Sequence, residues 1–127
     1  MDKEYTVLYI DDEESNLRVF KNTFRRDFNI LLASSAQEGI EILNRSKIDV
    51  IITDQRMPGK TGLELLKEIH DMFPHIPPHR LMVSGYAAPF EINTAFKDYG
   101  LFRFISKPWE ADELRQIILN VIQKHYE

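Results

Sequence analysis

Five short apolar runs, each followed by a longer stretch of helical spacing, constrain this chain more than any other feature. "TVLYI" (6–10), "NILLA" (29–33), "DVIIT" (49–53), "RLMVS" (80–84) and "LFRFI" (101–105) have the length and the β-branched or aromatic content of strands. Between and after them, apolar residues recur every three or four positions: Leu17, Phe20 and Phe24; Ile40 and Leu43; Leu63, Leu66 and Ile69; and a stripe of Leu114, Ile117, Ile118, Val121 and Ile122. The stretch 89–97 is more weakly patterned, with Ile92, Ala95 and Phe96 to bury.

Strands that alternate with helices predict a parallel sheet covered on both faces and wound right-handedly. The runs at 7–10, 50–52 and 81–83 are apolar without alternation, so they belong in the middle of the sheet, whereas Arg103 in the last run suits an edge. A flavodoxin-like doubly wound, five-stranded parallel sheet in the order 2-1-3-4-5, with five helices, accommodates all of this. In that order the switch point, where the succession of strands reverses, lies between the first and third strands, and ligands bind at the carboxyl ends of the strands there.

At 127 residues the chain has room for one such domain and one good core, so 1–127 is expected to be a single domain. No apolar run approaches the roughly 20 residues of a membrane-spanning helix. There is no cysteine, hence no disulfide framework and no thiolate metal site. A net charge of −4 argues against direct nucleic-acid binding, which wants a basic patch. A cytoplasmic protein is the expectation. The four histidines, His70, His75, His79 and His125, lack metal-ligand spacing and are expected at the surface.

The ends of the strands carry the chemistry. The first run ends in Asp11-Asp12, and the third runs into Asp54 followed by a Met-Pro-Gly turn. Each has a simpler role available: Asp11 or Asp12 as a helix cap, Asp54 as the opening of a turn. The predicted strand order, however, brings all three to one crevice, where carboxylates repel one another unless a cation joins them. Oxygen ligands select a hard ion, and Mg²⁺, held by few carboxylates, is the natural occupant. "VSGY" delivers the Ser84 hydroxyl to the same edge beside Gly85, and "FISKPW" delivers the Lys107 ammonium. Taken singly, Ser84 could equally cap a helix, and Lys107 could be a solvated surface residue.

In these residues the chain resembles the response-regulator receiver domains, the CheY-like phosphoacceptor modules of two-component signalling. The acidic pair Asp11-Asp12, Asp54 followed by Met57-Pro58 and Gly62, Ser84, Phe104 and Lys107-Pro108 match in order from end to end. The resemblance implies that Asp54 accepts a phosphoryl group from a sensor histidine kinase or phosphotransfer protein. It implies that Asp11, Asp12, Asp54 and the backbone carbonyl of Arg56 hold Mg²⁺, and that Ser84 and Lys107 contact the phosphoryl oxygens. It further implies a cis Lys107–Pro108 bond and a switch in which Phe104 follows Ser84 inward. That switch would remodel the face made by the fourth helix, fifth strand and fifth helix, through which the domain could dimerise or reach a downstream output domain or target protein. Arg56 and Tyr86 occupy the positions that influence the phosphoryl lifetime, and the Arg56 guanidinium could bond the phosphoryl group. Phe104 has core packing as its plainer role, and so does Trp109, which is expected near the output face.

Three other functions remain to be weighed. A haloacid-dehalogenase-type phosphatase wants Asp-x-Asp after its first strand, whereas these acids are adjacent, and turnover of a phosphate ester would discriminate. A flavodoxin-type FMN carrier needs a phosphate cradle where this chain has "DDEES", and the colour of the protein decides it. A phosphorylation-silent interaction module would have lost part of the acidic set. The chain ends about where a receiver's fifth helix ends, so no output domain is expected within it.

Overall fold

The structure is a computed structural model that describes residues 4–74 and 78–126. Strands β1 (Thr6–Ile10), β2 (Asn29–Ala33), β3 (Val50–Asp54), β4 (His79–Ser84) and β5 (Leu101–Ser106) alternate with helices α1 (Glu14–Phe24), α2 (Ala36–Arg45), α3 (Gly62–Met72), α4 (Pro89–Asp98) and α5 (Ala111–Tyr126). The strands pair in parallel in the order β2-β1-β3-β4-β5. This is the flavodoxin-like arrangement expected from the sequence, with the uninterrupted apolar runs in its centre.

Alternate residues of each central strand feed two cores. Val7, Tyr9, Val50, Ile52, Leu81 and Val83 meet α1 through Phe20 and Phe24 and α5 through its Leu114–Ile122 stripe. Leu8, Ile10, Ile51 and Met82 meet α2, α3 and Ala95 of α4 on the other face. Burial of both faces accounts for the lack of polar alternation in these strands. In α4 only Ala95 is fully buried, and Phe96 is 43% exposed rather than inside, because the helix turns only a narrow face to the sheet. His70 and His79 are half-buried rather than at the surface: His70 sits 6.2 Å from the Tyr99 ring and His79 opens β4. His75 and the side chain of His125 lie outside the described residues.

Local chemistry fixes where the helices begin. Ser35 caps α2 by accepting the Glu38 N–H, and Thr61 with Glu64 forms a reciprocal capping box on α3. At the first residue of α3, a Cβ on Gly62 would collide with the backbone carbonyl of Asp54. Glycine therefore lets the first residue of α3 lie against the end of β3, where the Gly62 N–H donates to the Gln55 carbonyl at 3.0 Å.

Candidate functional site

The parallel register brings the strand ends into line. Ile10 pairs with Thr53, Asp54 with Val83 and Ser84 with Ser106, so residues one step beyond β1 and β5 flank Asp54. The β3 boundary falls one residue later than the sequence suggested and includes Asp54, which is 7% exposed. Asp11 is fully buried, while Asp12 next to it faces solvent. One carboxylate oxygen from each of Asp11, Asp12 and Asp54 lies within 4.8 Å of the others, so this all-oxygen set could hold a metal ion.

Lys107 joins this cluster. Its Nζ donates to Asp11 Oδ2 at 2.9 Å and to Asp54 Oδ2 at 2.8 Å. Burial by itself would lower the ammonium pKa, but the hydrogen bonds and charges of Asp54 and Asp11 outweigh it and raise the value above the ordinary lysine range. The sequence argument required a cation among the carboxylates, and the chain supplies one of its own. The Lys107–Pro108 peptide is cis, the isomer implied by the resemblance.

Asp11 is held by four donors. Its Oδ2 accepts from Tyr9 Oη at 3.0 Å, from Asn16 Nδ2 at 3.2 Å and from Lys107, and its Oδ1 accepts the Glu13 N–H at 3.0 Å. It thus shapes the turn into α1 but does not cap the helix, whose N-cap is Glu13. Asp54 Oδ1 accepts the Arg56 N–H at 3.3 Å.

Ser84 is buried, and its hydroxyl donates to the Tyr86 carbonyl at 2.8 Å and accepts the Tyr86 N–H at 3.3 Å. It closes the turn after β4 and leaves the capping of α4 to other groups. Phe104 is half-buried and packs toward α3 and α4, on the face opposite Ile105. Trp109 packs on the α1 aromatics, 6.1 Å from Phe20 and 5.5 Å from Phe24, and so lies on the α1 side of the site. The Arg56 guanidinium turns away from Asp54: it pairs with Glu91 at 3.2 Å and lies 5.4 Å above the Tyr86 ring.

Several contributors escaped the sequence argument. Gln55 is fully buried; its Oε1 accepts the Leu63 N–H at 2.7 Å and its Nε2 donates to Glu91 Oε2 at 2.7 Å. Glu91 Oε1 also accepts the Ala88 N–H at 2.8 Å, tying the start of α4 to the loop after Asp54. The only available signal was a glutamate three residues into a helix opened by proline, which reads as a local cap. Tyr9 and Asn16 gave no signal at all.

A doubly wound parallel sheet that gathers three carboxylates and a lysine at the carboxyl ends of β1, β3 and β5 defines a flavodoxin-like α/β domain with an acidic crevice. The family model for the response regulator receiver domain matches residues 7–119, and the chain belongs to that family of two-component signalling domains. The hydrogenase transcriptional regulatory protein HoxA of Cupriavidus necator is 37% identical over 122 residues, 96% of this chain. The chain spans only 25% of that protein's length. The chemotaxis protein CheY of Pseudomonas aeruginosa is 28% identical over 93% of this chain and 96% of its own. A solved receiver domain from Clostridium thermocellum superposes with a TM-score of 0.88 at 32% identity, covering 97% of this chain and 98% of that one. Among the described residues, no helix is long and apolar enough to cross a membrane.

Proposed function

We propose that this receiver accepts a phosphoryl group on Asp54 from a phosphohistidine of a sensor kinase or phosphotransfer protein, and passes the change to a downstream output domain or target. The observation that carries this reading is the convergence of Asp11, Asp12, Asp54 and the Lys107 ammonium at one sheet edge. The carboxylate triad and the backbone carbonyl of Arg56 would hold Mg²⁺. When bound, Mg²⁺ supplies positive charge against the phosphoryl oxygens and neutralises the crowded carboxylates.

The chain's own groups do the rest. Asp54 ends β3 with its carbonyl packed closely against Gly62 of α3, which helps to hold its carboxylate for in-line attack. The Asp54 oxygen forms a bond to phosphorus as the donor's P–N bond breaks, and the electron pair leaves on the imidazole nitrogen. Lys107, already 2.8 Å from Asp54, is placed to follow the negative charge onto the phosphoryl group. Ser84 would exchange its bond to the Tyr86 carbonyl for one to a phosphoryl oxygen, releasing the turn before α4. Phe104, half-buried and paired with Met82 two residues before Ser84, is the side chain that would move into the freed space. The remodelled surface is the α4-β5-α5 face, where Phe90 and Phe102 are exposed and where homodimers or output partners would dock.

With Mg²⁺ and acetyl phosphate, intact-mass measurement should detect one added phosphoryl group, and chelation of the metal should prevent it. Equal labelling with and without chelator would overturn the metal assignment.

Arg56, two residues after Asp54, stacks on Tyr86, two residues after Ser84, and the bulk of the pair should slow the in-line approach of water. Because Glu91 occupies the guanidinium, we assign its effect to shielding rather than to a bond with the phosphoryl group. The Arg56→Ala, Tyr86→Ala double variant should lose its phosphoryl group several-fold faster than the parent. Unchanged decay would dispose of the shield.

A further inference from the structure

Among the buried polar groups that the phosphoryl chemistry leaves unused, the Tyr9 hydroxyl is the one bonded to a carboxylate of the cluster. Tyr9 lies on the central strand β1 among Val7, Leu8 and Ile10, with no exposed surface. A phenol in such a place must find a partner or forfeit the solvation of its hydroxyl. It finds Asp11 Oδ2, at 3.0 Å.

We propose that Tyr9 is a positioning residue for the cation site, holding the Asp11 carboxylate in the orientation from which it serves the bound ion. The inference rests on the reading of Asp11, Asp12 and Asp54 as that site. The four donors on Asp11 differ in how firmly they are fixed. Lys107 is shared with Asp54, and the Asn16 amide also reaches Glu13 Oε2 at 3.4 Å. The Glu13 N–H holds the other oxygen. The Tyr9 hydroxyl has a single proton, and it goes to Asp11.

The ring that carries this hydroxyl is itself clamped. It stacks on Phe20 with centroids 4.1 Å apart and planes within 4°, and Phe20 in turn contacts Phe24 at 4.8 Å. The hydroxyl is therefore held by packing on a rigid strand, and its bond to Asp11 persists when Lys107 turns toward a phosphoryl group. A neutral donor also orients the carboxylate without cancelling its charge, as partners behind a metal ligand do.

The test uses Trp109, the only tryptophan, which lines with Tyr9, Asn16 and Lys107 a cavity of about 390 Å³. Mg²⁺ is titrated into the purified chain and followed by Trp109 fluorescence and by calorimetry, with unfolding in chelator measured in parallel. Tyr9→Phe keeps the ring and its stack, and should weaken Mg²⁺ binding by roughly tenfold, the scale seen when a ligand's partner is removed. Phosphorylation at saturating Mg²⁺ should then approach the parent rate. Val7→Ala, on the same strand and face, should lose stability yet bind Mg²⁺ like the parent. Parent-like affinity in Tyr9→Phe, or an equal loss in Val7→Ala, would overturn the positioning role while leaving the cation site standing. If the parent's Mg²⁺ response instead survives Asp12→Asn and Asp54→Asn together, the cation site is elsewhere and the role of Tyr9 falls with it.

Discussion

Asp54→Asn should gain no phosphoryl group under conditions in which the parent is fully labelled. An amide oxygen carries no charge with which to attack phosphorus, and Asp11, the other buried carboxylate on Lys107, is already engaged by four donors, whereas Asp54 accepts only from Lys107 and the Arg56 N–H. The fold should be retained, because Lys107 keeps Asp11 at 2.9 Å. Asp12→Asn is the informative companion. It leaves the nucleophile and its lysine in place and removes only the exposed member of the triad, so the loss should appear in the Mg²⁺ requirement and the rate rather than in the site of labelling. The linkage itself should be stable in acid and labile in base, as an acyl phosphate is. Equal mass gain in Asp54→Asn would show that the phosphoryl group sits elsewhere.

Lys107→Met should have the next largest effect. Methionine replaces the aliphatic stem but withdraws the charge that Asp11 and Asp54 share, so two buried carboxylates face one another with no ammonium between them. Breaking a fully buried pair costs several kcal/mol; the Lys107 side chain keeps 21% of its exposure, so a loss of about 2 kcal/mol in metal-free buffer is expected. Mg²⁺ should restore part of it, making the variant's urea midpoint more sensitive to the metal than the parent's.

The same pairing gives stability a pH dependence of known sign. The folded Lys107 pKa is raised, so its contribution is complete below the unfolded value near about 10.4 and is lost as pH climbs through the folded value. Tyr9 acts in the same direction: burial first, then the charge of Asp11 and the bond to it, pushes the phenol up, and the neutral form is the one the fold needs. The metal-free parent should therefore weaken on the alkaline side, above about pH 10, and Lys107→Met should lose the lysine part of that slope. An identical alkaline profile in parent and variant would mean that the ammonium does not stabilise the fold.

Strand order and both cores were legible because they depend on patterns that survive without coordinates. An unbroken run such as Val50–Ile52 has no polar face to offer solvent, and the α5 stripe repeats without a gap from Leu114 to Ile122. The convergence of Asp11, Asp54 and Lys107 followed from the order, since residues just beyond parallel strands share an edge. What remained hidden depends on side-chain direction and on contacts distant in sequence. Nothing in "DQR" tells that Gln55 points inward to α3 and α4 while Arg56 swings outward over Tyr86. Phe96 has the spacing of a core residue, but α4 is too narrowly apolar to turn that face inward. Tyr9 reads as one more β-former until its hydroxyl is seen against Asp11.

The amide of Gln55 removes a degree of freedom from the domain. One end grips the first turn of α3 and the other grips Glu91 near the start of α4, while its own backbone follows directly on Asp54. The two helices are therefore coupled at that edge: a shift of the β3 terminus is passed toward both at once through one planar group. The receiver thus has a yoke where most loops have slack, and a displacement at the carboxylate reaches α4 through rigid linkage as well as through the turn at Ser84.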